Sequence, residues 1–335
     1  MDVCRLTREL VDIPSVTENE RLVAEYVERC LQQMAAGTSG SVERMEVSPQ
    51  RFNVLACWGQ PRATLSTHMD TVPPFFGSRE DEERIWGRGA CDAKGIMAAM
   101  MCAAEQLLEE NISGFALLFV VGEERNSAGA DVAAKHGRQS QFVINGEPTE
   151  NKLAVGSKGA LRYELVAHGR MAHSAYPELG ESAIDKLLEA LAAIRSLPMP
   201  RDAELGASTL NIGTIAGGRA PNVIADQARA EVLVRLVDDG AETRAAIEKV
   251  AAAAGVEANE VLCVPAVQLE TLAGFATTVV SFTTDIPAFA GSWGKPFLIG
   301  PGSIHHAHTD AEHICKRELA EAITIYKNMV KQLTA

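Results

Sequence analysis

The chain lacks several features that would place it in common classes. It carries seven cysteines (Cys4, Cys30, Cys57, Cys91, Cys102, Cys263 and Cys315) but no Cys-x-x-Cys pair. An odd, scattered set excludes a secreted disulfide framework and fits free thiols in a reducing compartment. No apolar run reaches the length of a membrane span. The opening Met1-Asp2-Val3-Cys4-Arg5, soon followed by Glu9 and Asp12, lacks the basic-then-apolar order of a signal peptide. A cytoplasmic location is therefore the expectation. Positive charge is short: 31 Lys and Arg stand against 44 Asp and Glu, for a net charge of −13. That argues against nucleic acid and against an anionic membrane surface as partners. There is no internal repeat and no low-complexity segment.

With 335 residues the chain is too long for one simple core, and two domains are expected. Helical spacing covers 2–12, where Pro14 stops it, and 19–35. Strands are predicted around Val47, over 53–58 and over 62–68. The last of these runs into His68-Met69-Asp70. Strand ends are where α/β proteins place chemistry, and residues i and i+2 point the same way. The pair is either an ordinary hydrogen-bonded couple or a metal ligand beside an acid.

The Pro-rich segment after Asp70 reads as a rim loop, and 80–84 as a solvated turn. Next comes Gly87-Arg88-Gly89-Ala90-Cys91-Asp92-Ala93-Lys94-Gly95, leading into an apolar helix over 96–108. Its spacing matches neither phosphate-binding glycine pattern. Residues 114–121 (GFALLFVV) read as a strand buried on both faces, ending in Gly122-Glu123-Glu124. A helix over 128–136 follows. The strand from Phe142 ends in Gly146-Glu147.

From about residue 154 the texture changes. Strands over 160–168, 208–216, 223–237 and 260–268 alternate with helices over 182–194 and 241–254. The order β-α-β-β-α-β is that of a ferredoxin-like unit. The expected boundaries are 1–155 with 271–335 for the first domain and 156–270 for an inserted one. After 271 a helix over 273–282 is expected, then a strand over 296–299. The chain continues through Gly300-Pro301-Gly302-Ser303 to His305, His306, His308 and Glu312, and ends in a helix over 316–333.

Strand ends thus present His68, Asp70, Asp92, Glu123, Glu124, Glu147 and one of His305, His306 or His308. So many carboxylates in one crevice would repel one another unless cations sat among them. Two divalent metals solve this, with mixed N/O ligation suiting zinc, or cobalt or manganese. A leftover acid beside two metals suits hydrolysis of an amide.

These motifs resemble the acetylornithine deacetylase, succinyl-diaminopimelate desuccinylase and carboxypeptidase G family of co-catalytic zinc peptidases. The matching elements are Ser-Thr-His68-Met-Asp70, Gly-Arg-Gly-Ala-Cys-Asp92-Ala-Lys-Gly, Gly-Glu123-Glu124, Gly-Glu147-Pro and Gly-Pro-Gly-Ser…Ala-His308-Thr-Asp-Ala-Glu312. The resemblance runs along nearly the whole chain. It implies an α/β catalytic domain with a mixed, largely parallel sheet between helices, plus the inserted ferredoxin-like α+β domain serving as a lid and dimerisation unit.

The same resemblance implies roles. His68 and Glu147 would share one metal, Glu124 and His308 the other, and Asp92 would bridge. Glu123 would be the general base. Asp70 would hydrogen-bond the His68 ring and set its basicity. In the inserted domain, His173 would help polarise the scissile carbonyl, within its own subunit or a homodimer partner's, or would merely shape a turn. Arg235 would bind a substrate carboxylate, or be a solvated Arg on an edge strand. Asn222 would contact substrate or make its turn. The Gly300–His308 stretch looks most like the acetylornithine deacetylase branch, so the expected reaction is deacylation of an N-acyl amino acid. The alternatives are a di- or tripeptidase or carboxypeptidase on short peptides, and a non-catalytic ligand-binding relative.

Overall fold

The computed structural model describes residues 1–136 and 140–335. The chain forms two compact units. One comprises 1–155, 269–278 and 284–335, the other 156–268 and 279–283. Among the described residues, no helix is long and apolar enough to cross a membrane.

The first unit opens with α1 (Val3–Val11) and α2 (Arg21–Ala35). Asp2 caps α1 by accepting the Arg5 backbone N–H at 2.9 Å, which satisfies one of the free donors of the first turn. The chain then runs through β1 (Gly40–Ser48), β2 (Arg51–Trp58), β3 (Ala63–His68), β4 (Arg79–Glu80), β5 (Arg84–Trp86), α3 (Lys94–Glu109), β6 (Phe115–Val120), α4 (Ala128–His136), β7 (Phe142–Asn145) and β8 (Leu153–Ser157). The second unit holds β9 (Gly159–His168), α5 (Ala183–Arg195), β10 (Arg201–Asp202), β11 (Gly206–Ala207), β12 (Thr209–Gly217), β13 (Gln227–Leu236), α6 (Ala241–Ala253), β14 (Val256–Val264) and β15 (Val267–Gln268). The chain ends with β16 (Thr277–Val280), β17 (Lys295–Leu298), β18 (His313–Cys315) and α7 (Lys316–Thr334).

The main sheet has the order β1-β2-β6-β3-β7-β17. β1, β2 and β6 pair antiparallel, whereas β6, β3, β7 and β17 are parallel neighbours. Both faces are covered. Phe115, Leu117 and Phe119 of β6 enter one core with α1, α2, α3 and α7. The alternating Ala116, Leu118 and Val120 enter a second core with Ala130, Ala133, Phe289 and Trp293. This explains why β6 reads as an unbroken apolar run: a strand with helices on both faces has no polar side.

The second unit's sheet has the order β12-β13-β9-β14, all antiparallel. With α5 and α6 on one face it is a ferredoxin-like α+β unit. Ser182 caps α5, accepting the Asp185 N–H at 3.1 Å.

Two expectations fail here. The helix expected over 273–282 is instead β16, in a three-stranded sheet with β8 and β15. Thr277-Thr278-Val279-Val280 are all β-branched and fit a pleated surface better than a helix. The strand carrying Arg235 is also no edge strand, because β13 lies between β12 and β9.

Candidate metal centre

Four consecutive parallel strands point their C-terminal ends the same way, and each delivers candidate ligands. β6 leads to Glu123 and Glu124, β3 ends in His68, β7 leads to Glu147, and β17 leads to the loop carrying His308. This crevice beyond the carboxyl ends of parallel strands is where open α/β sheets bind ligands. Asp92 arrives separately, from the turn before α3, and its peptide bond to Ala93 is cis.

Asp92 sits between the two histidines. Its Oδ1 lies 3.0 Å from His68 Nε2 and its Oδ2 lies 3.3 Å from His308 Nε2. Glu124 Oε2 is 3.0 Å from the same His308 nitrogen. Ligand atoms of His68, Asp92 and Glu124 all lie within 4.8 Å of one another. His308 has a φ of +60°, a left-handed conformation uncommon for a non-glycine residue and one that often marks a functional site. His305 and His306 line a different groove of about 630 Å³ with His313.

Glu147 is buried, and its Oε1 has no hydrogen-bond partner. Burial first, and then the charge of Asp92, push its carboxyl well above the usual range. Glu123 is also pushed well up, by burial and then by Glu147. Burial raises the Asp92 carboxyl too, but His308 and His68 outweigh it and hold it low. His308 is raised to about 10 by Asp92 and Glu124. In the protein alone, the raised Glu123 and Glu147 carboxyls and the raised His68 and His308 imidazoles all reduce the mutual repulsion of these acids. Divalent cations would do the same with every carboxylate ionised and both imidazoles neutral. Two imidazoles, three carboxylates and an orphaned buried oxygen fit a dinuclear site for divalent ions.

Asp70 meets His68 through two groups. The His68 Nδ1 atom is 3.0 Å from the backbone oxygen of Asp70, whereas the Asp70 carboxylate is 3.6 Å away and out of hydrogen-bond range. That carboxylate instead accepts the backbone N–H groups of Gly122, Glu123 and Glu124 at 3.0, 3.1 and 3.2 Å, and the Thr17 hydroxyl at 2.8 Å. Gly122, at φ +83°, makes the turn that aims these three donors at one carboxylate. The Asp70 side chain therefore holds the turn of Glu123 and Glu124 while its charge stays 3.6 Å from the His68 ring, and the Asp70 backbone oxygen meets His68 Nδ1.

Sequence reasoning gave Glu312 no role beyond its place in the matching Ala-His308-Thr-Asp-Ala-Glu312 stretch. It is fully buried and accepts three backbone N–H groups of the turn carrying Asp92. Asp285 was also missed. It is buried, neither carboxylate oxygen has a partner within hydrogen-bond range among the described residues, and burial, against the pull of Ser127, pushes it up to about 7.

His173, Asn222 and Arg235 belong to the second unit. His173 is exposed and its Nδ1 accepts the Ala175 N–H at 3.1 Å, so it does shape its own turn. The Asn222 backbone oxygen accepts the Ser174 N–H at 3.0 Å, which brings those two segments together. Arg235 is half-buried and, among the described residues, makes no ion pair.

Fold and donor set together define a metal-dependent hydrolase. The sequence model of Peptidase family M20/M25/M40 matches residues 64–332, and the chain belongs to this family. It is 38% identical over 334 residues to a peptidase M20 domain-containing protein of Schizosaccharomyces pombe, covering 97% of this chain and 83% of that protein. It is 36% identical over 372 residues to a "Probable carboxypeptidase" of Aspergillus niger, covering 97% and 88%. In fold it is similar to a Staphylococcus aureus tripeptidase, with a TM-score of 0.83, 20% identity, and coverage of 100% and 98%.

Proposed function

We propose that the protein is a two-metal exopeptidase that cleaves a short peptide next to a free C-terminal carboxylate. One observation carries the reading: relatives named as carboxypeptidases match the chain almost end to end, at 35–37% identity. They favour a peptidase over the deacylation expected from the Gly300–His308 stretch.

The chain's own residues divide the work. His68 and Glu147 would hold one ion, Glu124 and His308 the other, with Asp92 between them. When bound, such ions acidify water and polarise a carbonyl. Glu123 has no side-chain hydrogen bond among the described residues, and its carboxyl oxygens are free to take a proton from the attacking water and pass it to the leaving amine. Asp70 keeps that carboxyl in place through the Glu123 backbone. Arg235, half-buried and unpaired, would take the substrate carboxylate, as charge-assisted pairing favours. His173 and Asn222 would contact the substrate's backbone.

The deacylase reading rests only on the Gly300–His308 stretch. A release assay over dipeptides, tripeptides and N-acetyl and N-succinyl amino acids, with added zinc or cobalt, separates the two. The proposal expects peptides to be cleaved and N-acyl amino acids to be poor substrates. The reverse order would replace the peptidase by the deacylase, and no cleavage of any would remove both.

A further inference from the structure

We propose that Glu312 is a positioning residue for the bridging carboxylate, fixing Asp92 between His68 and His308 by gripping the backbone of its turn. The inference deepens the two-metal reading above and rests on it.

The grip is specific. Glu312 Oε1 accepts the backbone N–H of Gly89 at 3.0 Å, of Cys91 at 3.2 Å and of Asp92 itself at 3.1 Å. Its Oε2 accepts from Arg88 Nη1 at 2.6 Å. The Glu312 backbone oxygen takes the Gly87 N–H at 3.1 Å. One residue therefore binds the Asp92 turn at five points. Converging backbone N–H groups form an anion nest, and only a carboxylate both fills it and pairs with a buried guanidinium.

Position in the chain gives this grip its consequence. Glu312 lies four residues beyond His308 in the same loop. The loop that brings one ligand thus clasps the turn that brings the bridging one. That clasp keeps Asp92 Oδ2 within 3.3 Å of His308 Nε2 while Oδ1 stays 3.0 Å from His68. Among the described residues, none of Glu312's hydrogen bonds goes to a histidine or to a ligand side chain, so it acts through the Asp92 backbone. Arg88 extends the clasp outward: its Nε donates to the Pro74 oxygen at 3.2 Å and its guanidinium lies 5.0 Å from the Phe76 ring. The Pro-rich rim loop is thereby tied to the bridging carboxylate.

The test uses Glu312→Gln, which sets an amide donor against Arg88, and Glu312→Asp, which keeps the charge but shortens the reach. Leu31→Ala, in the core far along the chain from these loops, controls for lost stability. Chelator-stripped proteins are titrated with cobalt, following heat release and visible absorption, beside circular dichroism and melting of the metal-free forms. Supporting neighbours of metal ligands typically contribute 10–100-fold in affinity. Both Glu312 variants are expected to fold, to bind cobalt about 10–100-fold more weakly and to show a shifted absorption band. Leu31→Ala is expected to melt earlier with unchanged cobalt affinity and spectrum. Wild-type affinity and spectrum in the folded Glu312 variants overturn the inference. So does failure of both variants to fold, which makes Glu312 a fold residue only. Failure of the wild type to bind two cobalt ions instead overturns the metal reading itself.

Discussion

Asp70 Oδ1 accepts the backbone N–H of Glu123 at 3.1 Å. The acid next to the metal-ligand candidate at the end of β3 therefore places the candidate base that follows β6. Asp70→Asn would keep an acceptor for some of the three N–H groups and the Thr17 hydroxyl but must turn an N–H₂ group toward one of them. The Asp70 backbone oxygen still meets His68 Nδ1 in that variant. The expected result is a roughly 10–100-fold loss of turnover, the usual cost of such supporting partners, with metal at the His68–Glu147 position retained. Metal analysis beside kcat checks this. Loss of metal with unchanged kcat per bound metal would restore the original role of setting His68.

Glu123→Gln removes a proton acceptor and changes no proposed ligand. Turnover should fall by about 10²–10⁴, the range of general acid–base catalysis, while both metals stay bound. Near wild-type hydrolysis of peptides by this variant would move the base elsewhere, with Glu147 and Asp285 the next acids to examine.

Much of this centre was legible because strand-end chemistry leaves local marks. His68-Met-Asp70, Gly-Glu123-Glu124 and Gly-Glu147 each follow an apolar run, and the parallel order β6-β3-β7-β17 brings those ends together. Side-chain aim was not legible. The i, i+2 spacing put His68 and the Asp70 carboxylate on one side, but three N–H donors from a turn more than fifty residues away captured that carboxylate. Glu312 was hidden for the same reason, since its partners lie over two hundred residues earlier. The helix expected over 273–282 gives way to β16, where the β-branched run Thr277-Thr278-Val279-Val280 favours a strand.

Metal removal should expose the acid cluster as a pH dependence. Burial pushes Glu123 and Glu147 well up and Asp285 to about 7 in the folded chain, whereas unfolded carboxyls titrate near 4. Between those values the folded state binds more protons, so the stability these three acids contribute is fully present below about pH 4 and is lost as pH rises through the raised values. His308, raised to about 10, works in the same direction above its unfolded value near 6.5. The stripped protein should therefore melt at lower temperature at pH 8 than at pH 5.5. Cobalt should restore more at pH 8, because ligands must be deprotonated to bind. At a thousandfold excess over Kd the restored stability is about 4 kcal/mol. An equal or larger cobalt shift at pH 5.5 would contradict this proton balance.

If Arg235 reads a substrate carboxylate, as proposed, it separates substrates with and without one. It lies on an inner strand, is half-buried, and pairs with no acid among the described residues. Burial lowers the pKa of its guanidinium, and a buried cation without a counter-ion is costly unless something anionic meets it. Arg235→Met should raise KM for a free dipeptide by about 10–100-fold, matching a charge-assisted hydrogen bond of ~1.5–3 kcal/mol. The fold should survive, because the methionine covers the same stem. A C-terminally amidated peptide is the control: it should be a poor substrate for the wild type and lose little further in the variant. If the variant instead weakened both peptides equally, Arg235 would be supporting β13 and not reading a carboxylate, and the exopeptidase reading would lose its recognition element.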